Sequence, residues 1–183
     1  MVKEESMSKK VLILSGSPRQ GGNSDTLCDQ FANGATEVGH MVEKVYVNDL
    51  NIGYCNACYN CKDSRICVQE DDMAALLEKL VNAEVIVLAT PVYFYMMNGQ
   101  MKAMIDRTFP RYMEIKGKDF YFIATAAASK RMMERTIDGL RGFTDCLPGA
   151  KVKGVIYGAG AWELGDIQGN TAMDDAYKAG KNI

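Results

Sequence analysis

The feature that most restricts the fold of this chain is a repeated order, in which a strand-length apolar run is followed by a stretch with helical spacing. The apolar runs occupy residues 10–16, 43–47, 84–90, 119–125 and 152–158. The helical stretches begin at Asn23 and Asp71, and cover 99–108, 130–146 and 171–179. This alternation predicts an α/β fold: a doubly wound, five-stranded parallel sheet with helices on both faces.

A sheet of this kind binds ligands at one edge. Right-handed crossovers leave a crevice at the carboxyl ends of the strands, where the strand order reverses. The segments that reach this crevice are 15–24, 90–98, 125–129 and 158–165. With 183 residues the chain has the size of one domain, 1–183, with a cysteine-rich loop at 48–70.

Composition excludes several classes of function. The net charge is −2, and acids and bases are interleaved, so the sequence predicts no nucleic-acid surface and no polybasic membrane patch. Apolar runs such as 85–89 are too short to cross a bilayer, and residues 1–10 lack the apolar segment of a signal peptide. We therefore expect no nucleic-acid or membrane partner, and a cytoplasmic location where thiols stay reduced.

The segment SGSPRQGGNS, residues 15–24, joins the first predicted strand to the first predicted helix. Its glycines permit a tight turn, and the helix N-terminus directs unpaired N–H groups into the loop. Side chains that could bind a phosphate are those of Ser17, Arg19, Asn23 and Ser24. The glycine spacing matches neither the G-x-G-x-x-G pattern nor a Walker motif, so we expect a single phosphate monoester.

The segment TPVYFYMMNGQMKAMIDR, residues 90–107, follows the third predicted strand. Pro91 stiffens the turn, and Tyr93, Phe94 and Tyr95 offer flat apolar surface for a planar ring system. Most methionines of this segment are more simply explained as packing or subunit-contact residues.

Four of the six cysteines lie within thirteen residues, in the pattern C-x2-C-x2-C-x5-C. They are Cys55, Cys58, Cys61 and Cys67. The close spacing and reducing compartment count against disulfides, and zinc sites usually have two separated C-x2-C pairs. A single [4Fe–4S] cluster is the simplest interpretation, with zinc, redox thiols and metal-free cysteines left open. The other two cysteines, Cys28 and Cys146, are expected to be buried, and His40 to be a solvated residue at a helix end.

Three motifs together resemble those of the NAD(P)H-dependent FMN reductase group. They are S-x-S-P-R-x-G-G-N-S, a cysteine-rich segment ending in C-x-x-x-D-D-M, and P-V-Y-F…N-G-x-M-K-x-x-I-D-R. Within that group the chain is most similar to the iron–sulfur flavoproteins, which have a flavodoxin-like fold and carry this compact cysteine spacing. The likeness extends from Val11 to the closing AYKAGKNI.

The resemblance implies FMN as cofactor. It places Ser17, Arg19, Asn23 and Ser24 at the phosphate, and Pro91, Val92, Tyr93 and Phe94 beside the isoalloxazine ring. The other side of the ring would meet Thr125, Ala126, Ala127 and Ala128. Many relatives have glycines at this last position, where the chain has TAAAS, and alanine restricts close approach of the backbone.

The function expected from these features is electron transfer between a reduced donor, FMN and a [4Fe–4S] cluster, with no catalytic side chain required. The resemblance adds NAD(P)H as a possible donor, and small molecules or proteins as electron partners. One alternative is an FMN or quinone reductase without a cluster, and another is a non-enzymatic flavin-binding electron carrier. The resemblance also implies a homodimer or homotetramer, to which residues 93–104 and Trp162 could contribute contacts.

Overall fold

The computed structural model describes residues 8–183, which form a twisted sheet between two layers of helices. The strands are β1 (Lys10–Ser15), β2 (Met41–Tyr46), β3 (Val85–Tyr93), β4 (Met96–Met97), β5 (Asp119–Ala126) and β6 (Lys151–Ala159). The helices are α1 (Asn23–Glu37), α2 (Cys61–Ser64), α3 (Met73–Asn82), α4 (Gly99–Asp106), α5 (Lys130–Asp145) and α6 (Thr171–Lys181). The expectation of no signal peptide rested partly on residues 1–7, which lie outside the described residues.

The five long strands are parallel and lie in the order β2-β1-β3-β5-β6. Counted along the chain, this is the 2-1-3-4-5 order of flavodoxin-like sheets, with a switch point between β1 and β3. The predicted five-stranded parallel sheet is therefore confirmed. The sequence did not predict β4, a two-residue strand that pairs antiparallel with the end of β3.

Alternate residues of the central strands enter two separate cores, because successive side chains point to opposite faces of a sheet. On one face Leu12 and Leu14 pack with buried residues of α3, α4 and α5. On the other, Val11 and Ile13 pack with buried residues of α1 and α6. Strands with apolar residues on both faces explain the nearly continuous hydrophobic runs of the sequence.

Two glycines allow α1 and α6 to pack at very short range. A Cβ atom at Gly34 would meet the carbonyl oxygen of Tyr177 and lie 2.9 Å from the backbone nitrogen of Lys181. A Cβ atom at Gly180 would likewise meet the carbonyl oxygen of Phe31. The backbones of the two helices are therefore in direct contact.

Two predictions about single residues are wrong. Cys146 is exposed, because it follows the last turn of α5, and its thiol donates to the carbonyl of Gly142 at 3.3 Å. His40 is buried: its Nδ1 accepts the N–H of Lys9 at 3.2 Å, and its Nε2 lies 3.3 Å from the carbonyl oxygen of Ile183. Cys28 is buried, as predicted. No helix within 8–183 is long and apolar enough to cross a membrane.

Candidate cofactor site

A cavity of about 380 Å³ opens at the carboxyl ends of β1, β3, β5 and β6. Four loops line it, one from each of these strands, as the strand order predicts. Its lining consists of Ser17, Arg19, Gly22, Asn23, Ser24, Pro91, Val92, Tyr93, Phe94, Thr125, Ala126, Ala127, Ala161, Trp162 and Leu164. One end is polar and lies at the start of α1, whereas the rest is mainly apolar.

The loop between β1 and α1 forms the polar end. The Ser17 hydroxyl lies 3.2 Å from the carbonyl of Arg19 and accepts the Arg19 N–H at 3.1 Å, which folds the loop into a turn. Gly21 has a φ of 70°, a left-handed conformation that favours glycine. The first intrahelical bond joins Thr26 N–H to Gly22, so the N–H groups before Thr26 have no intrahelical acceptor.

A buried carboxylate supports this loop from below. Asp25 accepts the N–H of Gly21 at 2.7 Å, the hydroxyl of Tyr46 at 3.1 Å and the ammonium of Lys44 at 2.9 Å. Partial burial by itself would lower the pKa of Lys44, but hydrogen bonds with Asp29, Tyr46 and Asp25 raise that pKa well above its ordinary value. The Lys44 charge therefore offsets the Asp25 carboxylate beneath the loop.

Asn23 and Ser24 connect the loop to the other side of the cavity. The Asn23 amide donates to the carbonyl of Glu163 at 2.8 Å, and its oxygen accepts the N–H of Ile167 at 3.3 Å. The Ser24 hydroxyl lies 2.6 Å from that of Thr125, at the end of β5. Both side chains are thus engaged in holding the cavity walls together.

The turn between β3 and β4 carries aromatic residues at the cavity mouth. Phe94 and Tyr95 have φ values of 50° and 64°, so both central residues of this two-residue turn are left-handed. Such turns usually contain Asn and Gly, and two aromatic residues there are uncommon. The Phe94 side chain is 98% exposed. It is therefore a free apolar surface beside the cavity.

Asn98, buried before the first turn of α4, ties this hairpin to the loop after β1. Its amide nitrogen donates to the carbonyl of Gly16, and its backbone N–H donates to the Thr90 hydroxyl at 3.1 Å. A Cβ atom at Gly16 would lie only 2.8 Å from the Asn98 amide oxygen. This contact joins two of the loops that line the cavity.

The four cysteines of the C-x2-C-x2-C-x5-C pattern lie on the loop that leads from β2 to α3. Cys55 and Cys58 are exposed, whereas Cys61 and Cys67 are half-buried, and Cys61 opens the single turn of α2. Burial is the main cause that raises the pKa of the Cys61 thiol. Within residues 8–183, no group of three His, Cys, Asp or Glu side chains is arranged to hold a metal ion.

The comparison with known families gives one match over most of the chain. Residues 9–162 match the model of the NADPH-dependent FMN reductases. The chain belongs to this family. Two of its relatives are iron–sulfur flavoproteins. The first, from Methanocaldococcus jannaschii, is 32% identical over 73% of this chain and 70% of its own length. The second, from Archaeoglobus fulgidus, is 37% identical over 55% of this chain and 46% of its own length.

The chain spans about half the length of most of the curated relatives it matches. Among solved structures, the NAD(P)H:quinone oxidoreductase from Methanothermobacter marburgensis superposes with a TM-score of 0.73. That comparison covers 96% of both chains at 17% identity, so it demonstrates a shared fold. The predicted family and flavodoxin-like fold are confirmed, and the family supports the predicted enzyme class, a flavin oxidoreductase.

The cavity fits the cofactor for which the family is named. Its volume lies within the range of cofactor sites, roughly 300–1,000 Å³. Hydroxyl, guanidinium and backbone N–H groups at one end suit a phosphate, and the apolar remainder suits a planar ring. The cysteine loop has the donor type and number of an iron–sulfur site, but its thiols are not gathered into one.

The sequence-predicted cofactor residues lie around this cavity with one exception. Ala128 is not part of its lining, and its carbonyl instead accepts the N–H of Gly160 at 3.2 Å. The cavity lining also includes Ala161, Trp162 and Leu164, which were not predicted as cofactor residues although segment 158–165 was predicted to reach the crevice. The only feature of the sequence that could have assigned them to the site is their position directly after the last strand.

Proposed function

We propose that this protein is an FMN-dependent oxidoreductase that accepts electrons from a reduced pyridine nucleotide. The observation that carries the proposal is the cavity at the switch-point edge of the sheet, polar at the start of α1 and apolar elsewhere. FMN, when bound, accepts two electrons as a hydride and releases them singly or as a pair. The chain's part is to bind, orient and shield the cofactor.

The loop after β1 would hold the phosphate. Arg19 supplies a positive charge, Ser17 a hydroxyl, and the start of α1 its free N–H groups and the positive end of the helix dipole. Because the Asn23 and Ser24 side chains bond to Glu163 and Thr125, we expect them to act on the phosphate through their backbone N–H groups.

The other three loops would hold the ring. Pro91, Val92, Tyr93 and Phe94 form one wall, and Thr125, Ala126 and Ala127 form another. Ala161, Trp162 and Leu164 complete the lining. Among the described residues that line the cavity, only Arg19 and Tyr93 have ionisable side chains. This agrees with chemistry in which the cofactor reacts and the protein excludes water from it.

Arg19→Ala is expected to weaken FMN binding by about tenfold or more, because a charged hydrogen bond contributes about 1.5–3 kcal/mol. Riboflavin, which lacks the phosphate, should bind both proteins equally. Flavin fluorescence titration measures both affinities. The matched control is Arg141→Ala, since the Arg141 guanidinium lies on α5 beside Asp138 at 3.7 Å. An equal loss of riboflavin binding would contradict a phosphate role for Arg19.

We further propose that Cys55, Cys58, Cys61 and Cys67 hold a [4Fe–4S] cluster that exchanges electrons with FMN. The number and spacing of the thiols support this, as do the relatives named iron–sulfur flavoproteins. Ala57, Tyr59 and Arg65 have φ values of 50°, 59° and 58°, so the loop backbone is locally strained, as functional loops often are. Gathering the four thiols requires the exposed part of the loop to rearrange.

Protein purified without oxygen is expected to contain about four irons and four sulfides per chain. Cys58→Ser and Cys61→Ser should each lose most of this iron, whereas Cys146→Ser, which changes an exposed thiol outside the loop, should retain it. Iron and sulfide analysis beside the visible spectrum measures the effect. Flavin without iron in the parent protein would favour an FMN or quinone reductase with metal-free cysteines, and zinc would indicate a structural site.

Oxidation of NADH and NADPH with an added acceptor tests the enzyme class directly. A flavin-loaded protein that turns over neither nucleotide would instead be a non-enzymatic electron carrier.

We also propose a homodimer or homotetramer, for which the exposed Tyr93, Phe94, Met96 and Trp162 provide apolar surface. Sedimentation analysis measures the assembly. The cytoplasmic location stays a prediction.

A further inference from the structure

We infer that helix α4 positions the cysteine loop relative to the cofactor cavity, and that Arg107 is the residue through which it does so. The two ends of α4 carry different buried side chains. Asn98, before its first residue, bonds to the carbonyl of Gly16 at the cavity. Arg107, directly after its last residue, lies beneath the cysteine loop with only 2% of its surface exposed.

The base of the cysteine loop is closed by backbone and carboxylate hydrogen bonds. The N–H of Asn51 donates to the Asp72 carboxylate at 2.7 Å, and the N–H of Asp72 returns a bond to the carbonyl of Asn51 at 3.1 Å. The N–H of Gly53 donates to the Asp71 carboxylate at 3.1 Å. The segments on either side of the four cysteines are thus joined to each other.

Arg107 fills the centre of this base and bonds to both segments. Its Nη1 donates to the carbonyl of Gly53 at 2.8 Å, to the Gln69 side-chain oxygen at 3.2 Å and to Asp71 at 2.6 Å. Its Nη2 donates to the second Asp71 oxygen at 2.9 Å. The planar fork of arginine makes this two-point contact, which the single ammonium of lysine cannot reproduce.

No other buried charged side chain among residues 8–183 anchors the loop. The first residues of the loop are also held elsewhere, because Leu50 and Ile52 pack against the core. Nearer the cysteines, two further contacts lie at the surface: Arg65 is 3.7 Å from Glu114, and the Tyr59 ring lies 6.3 Å from that of Phe109. Exposed pairs of this kind contribute little. Gln69, which accepts from Arg107, follows Cys67 by two residues, so a shift of this anchor would displace the end of the loop next to that thiol.

The helix therefore acts as a spacer of defined length. From Asn98 to Arg107 there are nine residue steps, which at 1.5 Å per residue span about 14 Å. Met101 and Met104 bury the helix against the core, so it cannot slide freely between its two anchors. That the positioned loop carries a metal cluster rests on the proposed function. The anchoring of the loop by Arg107 can be measured without any metal.

The test compares Arg107→Gln and Arg107→Lys with the parent and with Lys102→Ala, which removes an exposed ion pair to Asp106 on the same helix. In reduced, metal-free protein, Arg107→Gln is expected to speed hydrogen–deuterium exchange of residues 51–72 by about tenfold or more. Arg107→Lys should keep the fold but leave this exchange fast, because the fork is lost. Lys102→Ala should match the parent. Unchanged exchange in folded Arg107→Gln would overturn the inference.

Arg107→Gln deprives Asp71 of its buried partner, so a second variant covers the case in which that protein does not fold. Gln69→Ala removes one Arg107 acceptor and keeps the ion pair. Hydrogen–deuterium exchange of the loop should become a few-fold faster in this variant, and an unchanged rate would count against the inference.

Titration with Co²⁺ supplies a spectroscopic readout, since thiolate-to-cobalt absorption reports gathered cysteines. We expect weaker Co²⁺ binding in Arg107→Lys with riboflavin affinity unchanged. If the parent protein itself binds no Co²⁺ and no iron, the proposed metal site fails, whereas the exchange result still decides the role of Arg107.

Discussion

Asn98→Ala is expected to lower the free energy of unfolding by about 1–3 kcal/mol, because it leaves the buried carbonyl of Gly16 without its side-chain partner. The Thr90 hydroxyl loses the Asn98 amide oxygen at 3.1 Å, but it keeps the carbonyl of Pro91 at 2.8 Å and the backbone N–H of residue 98. Because Gly16 begins the loop that would hold the FMN phosphate, we also expect FMN affinity to fall by about tenfold, or about 1.4 kcal/mol. Urea unfolding and fluorescence titration measure the two effects.

Gln100→Ala is the matched control for this prediction. Its side chain accepts from the same Asn98 amide at 2.9 Å, but it is half-buried and leaves Gly16 and Thr90 with their partners. We expect a change within about 0.5 kcal/mol and unaltered FMN binding. If Asn98→Ala lost stability but bound FMN as tightly as the parent, the connection between the hairpin and the phosphate loop would be structural only.

Gly34→Ala is expected to destabilise the protein by about 2–3 kcal/mol, although alanine is the better helix former by about 1 kcal/mol. The new methyl group would meet the backbone of α6 at Tyr177 and Lys181. Backbone atoms of a helix cannot rotate away as a flexible side chain can, so α1 and α6 must separate. Thermal unfolding should show a Tm lower by about 4–12 °C.

The chain contains a matched control for this substitution in Gly142. It also lies within a helix, α5, but a Cβ atom there would meet nothing within 4 Å. Gly142→Ala should therefore raise stability by about 0.5–1 kcal/mol. If both substitutions stabilised the protein, the close contact between α1 and α6 would not exist in solution.

Local patterns in the sequence account for most of the architecture. Continuous apolar runs marked the five parallel strands, and Asn23 marked the start of α1. Such patterns are readable because a strand or helix is determined largely by neighbouring residues. The hairpin at Phe94 and Tyr95 was missed because its turn lacks the Asn and Gly that usually signal one.

The position of the candidate site was predicted from the sequence, but the contacts among its residues were not. The phosphate role of Asn23 and Ser24 stays a prediction, but nothing in the sequence indicated that their side chains also contact Glu163 and Thr125. These partners are more than 100 residues distant along the chain. Periodicity contains no information about such pairs.

By itself, the sequence determined the order of strands and helices, the switch-point edge as the place for a ligand, and the clustering of four thiols on one loop. Only the tertiary structure decided how these parts are connected: Asn98 with Gly16, and Arg107 with Asp71 across 36 residues. The physical reason is that secondary structure follows from local backbone preference and apolar spacing. A buried hydrogen bond between distant residues depends on how the crossovers pack, and it exists only once the two cores have formed.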